Sequence, residues 1–134
     1  MLKQVSVYAE NRKGTMRRIT EILLNNEINI LGSVTNDSAE YGIVRMVVSD
    51  ADKACDALKE QGYFCRTTDV IGVEVEDEVG NLHKLLSTLE ESNIDVDYLY
   101  LSFNRGSGKP IMVFHCADTP EVAECLAAKG YSVL

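Results

Sequence analysis

Basic residues are in short supply in this chain of 134 residues: 13 lysines and arginines face 21 aspartates and glutamates, a formal net charge of −8. Nucleic-acid binders draw much of their affinity from neutralised phosphates, so this balance argues against direct DNA or RNA binding and against adsorption to anionic lipid. No apolar run approaches the roughly 20 residues of a membrane span. The N-terminal MLKQVSVYAENRKG also lacks the apolar stretch and cleavage site of a secretory leader, so a cytoplasmic location with no membrane partner is expected. Histidine is limited to His83 and His115, and no serine or cysteine sits in a nucleophile context. The four cysteines (Cys55, Cys65, Cys116, Cys125) form no CxxC pair and have no histidine at metal-ligand spacing. They read as small buried hydrophobes in a reducing compartment. No catalytic residue, metal or cofactor is expected.

What is present is a globular composition, 46% apolar and 25% charged, and a sequence written twice. VSVYAENRKGTMRRITEILLNNEINI is answered 66 residues later by IGVEVEDEVGNLHKLLSTLEESNIDV. Val5, Val7, Gly14, Ile19, Leu23, Ile28 and Ile30 fall on Ile71, Val73, Gly80, Leu85, Leu89, Ile94 and Val96. Further on the offset becomes 68, so that Asp50, Leu58, Gly62 and Tyr63 meet Asp118, Leu126, Gly130 and Tyr131. The extra two residues belong to the Gly-rich turn NRGSGK, where a hairpin tolerates insertion.

Each copy shows the same succession of periods. Alternation at Val5, Val7 and Ala9, and at Ile71, Val73 and Val75, predicts a half-buried strand ending in a polar loop with a glycine. Met16, Ile19, Ile22 and Leu23 share one helical face, as do Leu82, Leu85, Leu86 and Leu89. A hairpin is expected from strands at about 30–36 and 42–48, and again at about 96–103 and 111–117. A second helix then opens at Ser49 or Asp50, and at Asp118 or Thr119 with Pro120 in its first turn. It closes at Gly62 and Gly130, with a last strand beginning at Tyr63 and Tyr131. The order is βαββαβ, twice. The fold class predicted is α+β: two tandem ferredoxin-like units, 1–68 and 69–134, each an antiparallel sheet with its helices on one face. RTTD, residues 66–69, is the whole expected connection between them.

In both copies the loop after the first strand delivers a glycine to a helix N-terminus, where free amides and the helix dipole can hold an anion such as a carboxylate. The first loop, Glu10-Asn11-Arg12-Lys13-Gly14-Thr15-Met16, adds two cations; the second, Glu76-Asp77-Glu78-Val79-Gly80-Asn81-Leu82, adds three anions. Fifteen residues past each glycine stand Asn29 and Asp95, and this spacing is expected to return a polar group toward the same loop. His83 reads as a surface residue and His115 as strand packing.

AENRKGTMRRITEILLNNEINI resembles the ligand-binding half of an ACT domain, a regulatory amino-acid-binding fold of metabolic enzymes. Asn11, Gly14, Asn29 and Ile30 match that pattern, and Asp77, Gly80, Asp95 and Val96 match it more loosely. Lys13 and Val79 stand where the family often has proline, and Ala9 where serine-binding members present histidine. The likeness covers essentially the whole chain. It implies a non-enzymatic sensor that binds an amino acid where two units meet side by side.

The expected ligand contacts are Asn11, Arg12, Lys13, Gly14, Thr15, Met16, Asn29 and Ile30 in the first copy, and Asp77, Gly80, Asn81, Leu82 and Asp95 in the second. The ligand carboxylate would lie on the amides near Gly14, assisted by Arg12 or Lys13, and its ammonium on Asn29 or Asp95. The alternative is a regulatory subunit that docks on a metabolic enzyme, or forms a homodimer, without binding a ligand. An enzyme on the same plait is disfavoured: an acylphosphatase-like site has Arg12 as its single loose candidate, and YGIVRMVV offers Tyr41 but no interior aromatics for stacking RNA bases.

Overall fold

The structure, a computed structural model, describes residues 1–10, 12–36 and 41–134, with the side chain of Tyr41 excepted. Its elements are β1 (Leu2–Glu10), α1 (Thr15–Asn25), β2 (Ile30–Asn36), β3 (Tyr41–Val48), α2 (Ala51–Glu60), β4 (Phe64–Glu74), α3 (Asn81–Glu91), β5 (Tyr98–Phe103), β6 (Pro110–His115), α4 (Thr119–Ala128) and β7 (Ser132–Val133). They fall into two compact units. Lys3–Thr68 forms one, and Asp69–Leu134 forms the other together with Met1 and Leu2.

In the Lys3–Thr68 unit, β3 is hydrogen-bonded on one side to β1 and on the other to β2, both antiparallel. The first part of β4 brings Phe64 against Tyr8, ring centroids 5.3 Å apart, and Arg66 over the same ring at 5.9 Å. Val5 and Val7 of β1 and Val44, Met46 and Val48 of β3 supply the sheet side of the core; Ile19, Ile22 and Leu23 of α1 and Ala54, Cys55 and Leu58 of α2 supply the helical side. In the second unit β6 lies between β5 and β4, and β4 pairs on its other side with β7. Ile71, Val73, Leu85, Leu89, Phe114 and Leu126 form its core.

Local signals account for the element ends. The Asp50 carboxylate accepts the Lys53 amide at 3.1 Å and starts α2. At its other end the amides of Gly62 and Tyr63 bond back to Lys59 and Leu58 (3.0 and 3.1 Å), with Gly62 at φ +87°, a Schellman turn. Gly130 and Tyr131 repeat that turn after α4. The same turn ends α1 and α3, but there Glu27 and Asn93 occupy the left-handed position, each at φ +56°.

Four expectations are corrected. RTTD is not a connection, because β4 runs unbroken from Phe64 to Glu74. Met16, Leu82 and Leu86, assigned to core faces by their helical spacing, are 36–40% exposed, because they line open hollows over the sheet beside the helix starts. β5 begins at Tyr98, where its ladder with β6 starts opposite His115, not at Val96. Asp118 precedes α4 in a left-handed conformation and its carboxylate makes no capping bond.

Candidate functional site

The first corner is built where β1 gives way to α1. The Arg12 amide bonds the Glu10 carbonyl at 2.9 Å and the Thr15 amide bonds the Arg12 carbonyl at 3.2 Å, which coils the loop tightly. Gly14 then takes φ +89° and ψ −6°, a left-handed conformation that suits glycine, and α1 starts on its carbonyl with no side-chain cap. First-turn amides have no partner within their own helix, so those of Met16 and Arg17 are donors at the positive end of the α1 dipole.

Beside this helix start lies a hollow of about 230 Å³. Its floor is open because Ala9 of β1 and Gly42 of β3 are Cα partners, two of the smallest residues side by side in register. Val44 lies one pleat deeper, and Thr35 and Asn36 close the β2 side. The rim is charged but internally matched: Arg12 pairs with Glu10 at 2.6 Å, and Arg17 reaches Glu21 at 3.5 Å. Both pairs are well exposed, so each holds its partner weakly and is free to exchange it.

The second corner repeats the backbone and changes the lining. Gly80 stands at φ +92° and ψ −3°, and the Asn81 side-chain amide donates to the Glu76 carbonyl. Here the positions of Ala9, Gly42 and Val44 are taken by Val75, Pro110 and Met112. An open hollow of about 410 Å³ results, walled by Pro110, Met112, Leu82 and Leu86 under a rim of Glu76, Asp77 and Glu78, with His83 at its edge. Lys109 partly offsets this acidity by pairing with Glu76 at 2.6 Å, and the hydrogen bond to that carboxylate holds the Lys109 ammonium above its usual pKa. The adjoining hairpin turn is fastened to β4: Asn104 and Ser107 donate to the Glu74 carboxylate at 2.8 and 3.1 Å.

Arg12, Gly14, Thr15 and Met16 therefore share one hollow, and Asp77, Gly80, Asn81 and Leu82 share another. Lys13 is exposed on the loop beside Gly14. Asn11 lies outside the described residues. Asn29, Ile30 and Asp95 are not brought to the corners. Ile30 pairs with Val48, whereas the corner residues Asn36 and Ala9 pair with Ile43 and Gly42 at the far end of β3. The eleven residues of α1, at roughly 1.5 Å each, carry the chain about 16 Å away from the loop before β2 begins. There the Asn29 carbonyl accepts the Ser49 amide and the Asn29 amide donates to the Ser49 hydroxyl, each at 2.9 Å, and Asp95 lines a separate hollow with Asp97 and Asp118. Residues that the sequence reading missed are Arg17, Thr35, Asn36, Gly42 and Glu10. Their signal is the β1–β3–β2 register, which puts Gly42 beside Ala9 and brings Thr35 and Asn36 to the same end of β3 from its other side. His115 is half-buried, bonded to Asp97 at 2.6 Å and stacked on Tyr98 at 5.5 Å, away from both glycine corners.

Comparison with known proteins agrees with this architecture. A family model described as an ACT domain pair matches residues 1–133. Among solved structures, protein BT0572 from Bacteroides thetaiotaomicron is 31% identical with a TM-score of 0.90, over 99% of this chain and 91% of that one. The ligand-free regulatory subunit of aspartate kinase from Thermus thermophilus is 13% identical with a TM-score of 0.67, over 96% and 91%. The corresponding subunit from Thermus flavus is 14% identical with a TM-score of 0.59, over 85% and 83%. No curated protein matches the chain. With the repeat, the two glycine corners and a family match over nearly every residue, the chain belongs to the ACT domain pair family.

Proposed function

We propose that this chain is a non-enzymatic cytoplasmic sensor that binds a free amino acid at its first corner and passes the signal to a metabolic enzyme. The carrying observation is the hollow of about 230 Å³ at Gly14, which adjoins a helix start with no side-chain cap among the described residues. That volume is below the roughly 300 Å³ at which sites for drug-sized ligands begin, and suits an amino acid. The ligand carboxylate sits on the amides of Met16 and Arg17, with Arg12 or Arg17 turning from its present partner to assist. The ammonium meets Glu10 at the rim and the hydroxyl of Thr35, which shares the Val44 face of the sheet, in the role first assigned to Asn29 or Asp95. Bond making is not part of this reading. Among the described residues no helix is long and apolar enough to cross a membrane, which is compatible with it.

Calorimetry with each of the twenty amino acids tests the proposal. Saturable heat with one of them, weakened by Thr35→Val and left intact by Asn29→Ala, is the expected outcome. No heat and no thermal shift with any amino acid refutes it.

A second reading is supported by the other unit. Leu82, Leu86, Leu101 and Phe103 are 36–46% exposed and adjoin one another through Met112 and Pro110, the cross-strand partners of Leu101 and Phe103. Apolar groups gathered in this way mark an interaction surface. If the chain serves by docking on an enzyme without a ligand, Leu86→Lys abolishes co-purification of that enzyme while no amino acid gives heat.

A further inference from the structure

The two repeats treat one structural position differently. Cys55 on α2 and Cys65 on β4 correspond, at the offset of 68, to Ala123 on α4 and Val133 on β7. In both units the Schellman turn after the helix swings the last strand back across it. This brings the two positions into one core, as Ala123 and Val133 are in the second unit. In the first unit both are cysteines. Their sulfurs lie 2.9 Å apart, and the Cys65 thiol also donates to the Cys55 carbonyl at 3.2 Å. Both are 3–4% exposed and neither is in a disulfide. Cys116 and Cys125 belong to the other unit.

We propose that Cys55 and Cys65 are a site of reversible oxidation, forming a disulfide that staples α2 to β4 when the protein meets a peroxide. An S–S bond is about 2.05 Å long, so the sulfurs close by roughly 0.9 Å, a distance side-chain rotation and a small shift of the helix end can supply. The Cys55 sulfur attacks the peroxide O–O bond, gives one water and becomes a sulfenic acid. The Cys65 sulfur then attacks that sulfur, its proton leaves with the hydroxyl, and a second water departs. Two thiols are oxidised, one hydrogen peroxide is reduced to two waters, and the electrons balance. Burial pushes the Cys65 thiol up to about 12, helped by its bond to Cys55, so it is protonated at neutral pH and serves as the resolving group. The reaction is therefore slow and paced by local opening, as befits a response to sustained oxidant rather than to a brief pulse.

Peptide mapping of the whole chain tests this. After hydrogen peroxide treatment, alkylation in denaturant and tryptic digestion without reductant, the peptides 54–59 and 60–66 (ACDALK and EQGYFCR) are expected as one joined species, two hydrogens lighter than their sum. Dithiothreitol should separate them. The oxidised chain should run as a monomer on non-reducing gels and melt several degrees higher than the reduced one. The variant Cys55→Ala with Cys65→Val, which copies the second unit's packing, should show neither the joined peptide nor the thermal gain. Full alkylation of Cys55 and Cys65 after peroxide treatment, cross-links that join Cys116 or Cys125 instead, or a thermal gain that persists in the double variant would each overturn the proposal.

Discussion

Replacing Gly14 by alanine isolates the backbone term at the first corner. A Cβ built there meets nothing within 4 Å, so no steric clash enters, and the whole cost is that of holding an L-residue at φ +89°. Left-handed backbone costs an L-residue about 1–2 kcal/mol. Against this, alanine narrows the unfolded ensemble by about 0.4–1 kcal/mol relative to glycine. The net destabilisation expected is about 1 kcal/mol, which with a urea m-value of about 2 kcal/mol/M moves the midpoint down by about 0.5 M. Gly80 has the same conformation (φ +92°) and the same open surroundings, so Gly80→Ala should shift the midpoint by a similar amount. Ligand binding then separates the two variants. Alanine relieves its strain by swinging toward negative φ, which turns the helix-start amides away; Gly14→Ala should therefore lose amino-acid affinity, and Gly80→Ala should keep it. Urea titration followed by circular dichroism, with calorimetry alongside, reads both effects. Unchanged midpoints for both variants, or a large shift for one alone, would refute the claim that these corners are held by glycine's backbone freedom.

Two further perturbations test the fold around the corners. Glu27 ends α1 at φ +56° without being glycine, so Glu27→Gly should stabilise the protein by about 0.5–1 kcal/mol and raise its melting temperature; a loss of stability would mean that the Glu27 side chain makes a contact worth more than the strain. Cys65 gives a pH signature. Its thiol is raised from 9.0 to about 12 in the folded chain, so its contribution to stability is fully present below pH 9 and is lost as the pH rises toward 12, where the unfolded chain has released the proton and the folded chain still holds it. Cys65→Val should make the decline of unfolding free energy across that window shallower by up to one proton, measured by urea unfolding at stepped pH, and an identical slope in the variant would count against the assigned cause.

The helices were legible because their signals are local. Ile19 and Leu23, like Leu85 and Leu89, stand four apart and are buried where that spacing places them. The same spacing misplaced Met16, Leu82 and Leu86, since a helix's apolar stripe shows which side turns inward but not whether the space between it and the sheet is filled. Asn29 failed for a different reason. A helix antiparallel to the strand before it delivers the next strand's start to the opposite end of the sheet, so a match in spacing from Gly14 was not a match in space. The connection expected at RTTD is strand, because strand propensity runs unbroken from Phe64 to Glu74 and alternation carries no mark of a join within a single strand.

The sequence by itself determined the repeat, the order of helices and strands, the glycine corners and the contrast between NRKG and DEVG, because apolar periodicity, capping and the left-handed preference of glycine act over a few residues. The tertiary structure decided what those corners contain. Ala9, Gly42 and Thr35 line one hollow because β1 and β2 pair with the same end of β3, and Cys55 meets Cys65 because a Schellman turn folds β4 back over α2. Such meetings depend on contacts between residues distant along the chain, and the sum of those contacts, not any local preference, selects the register.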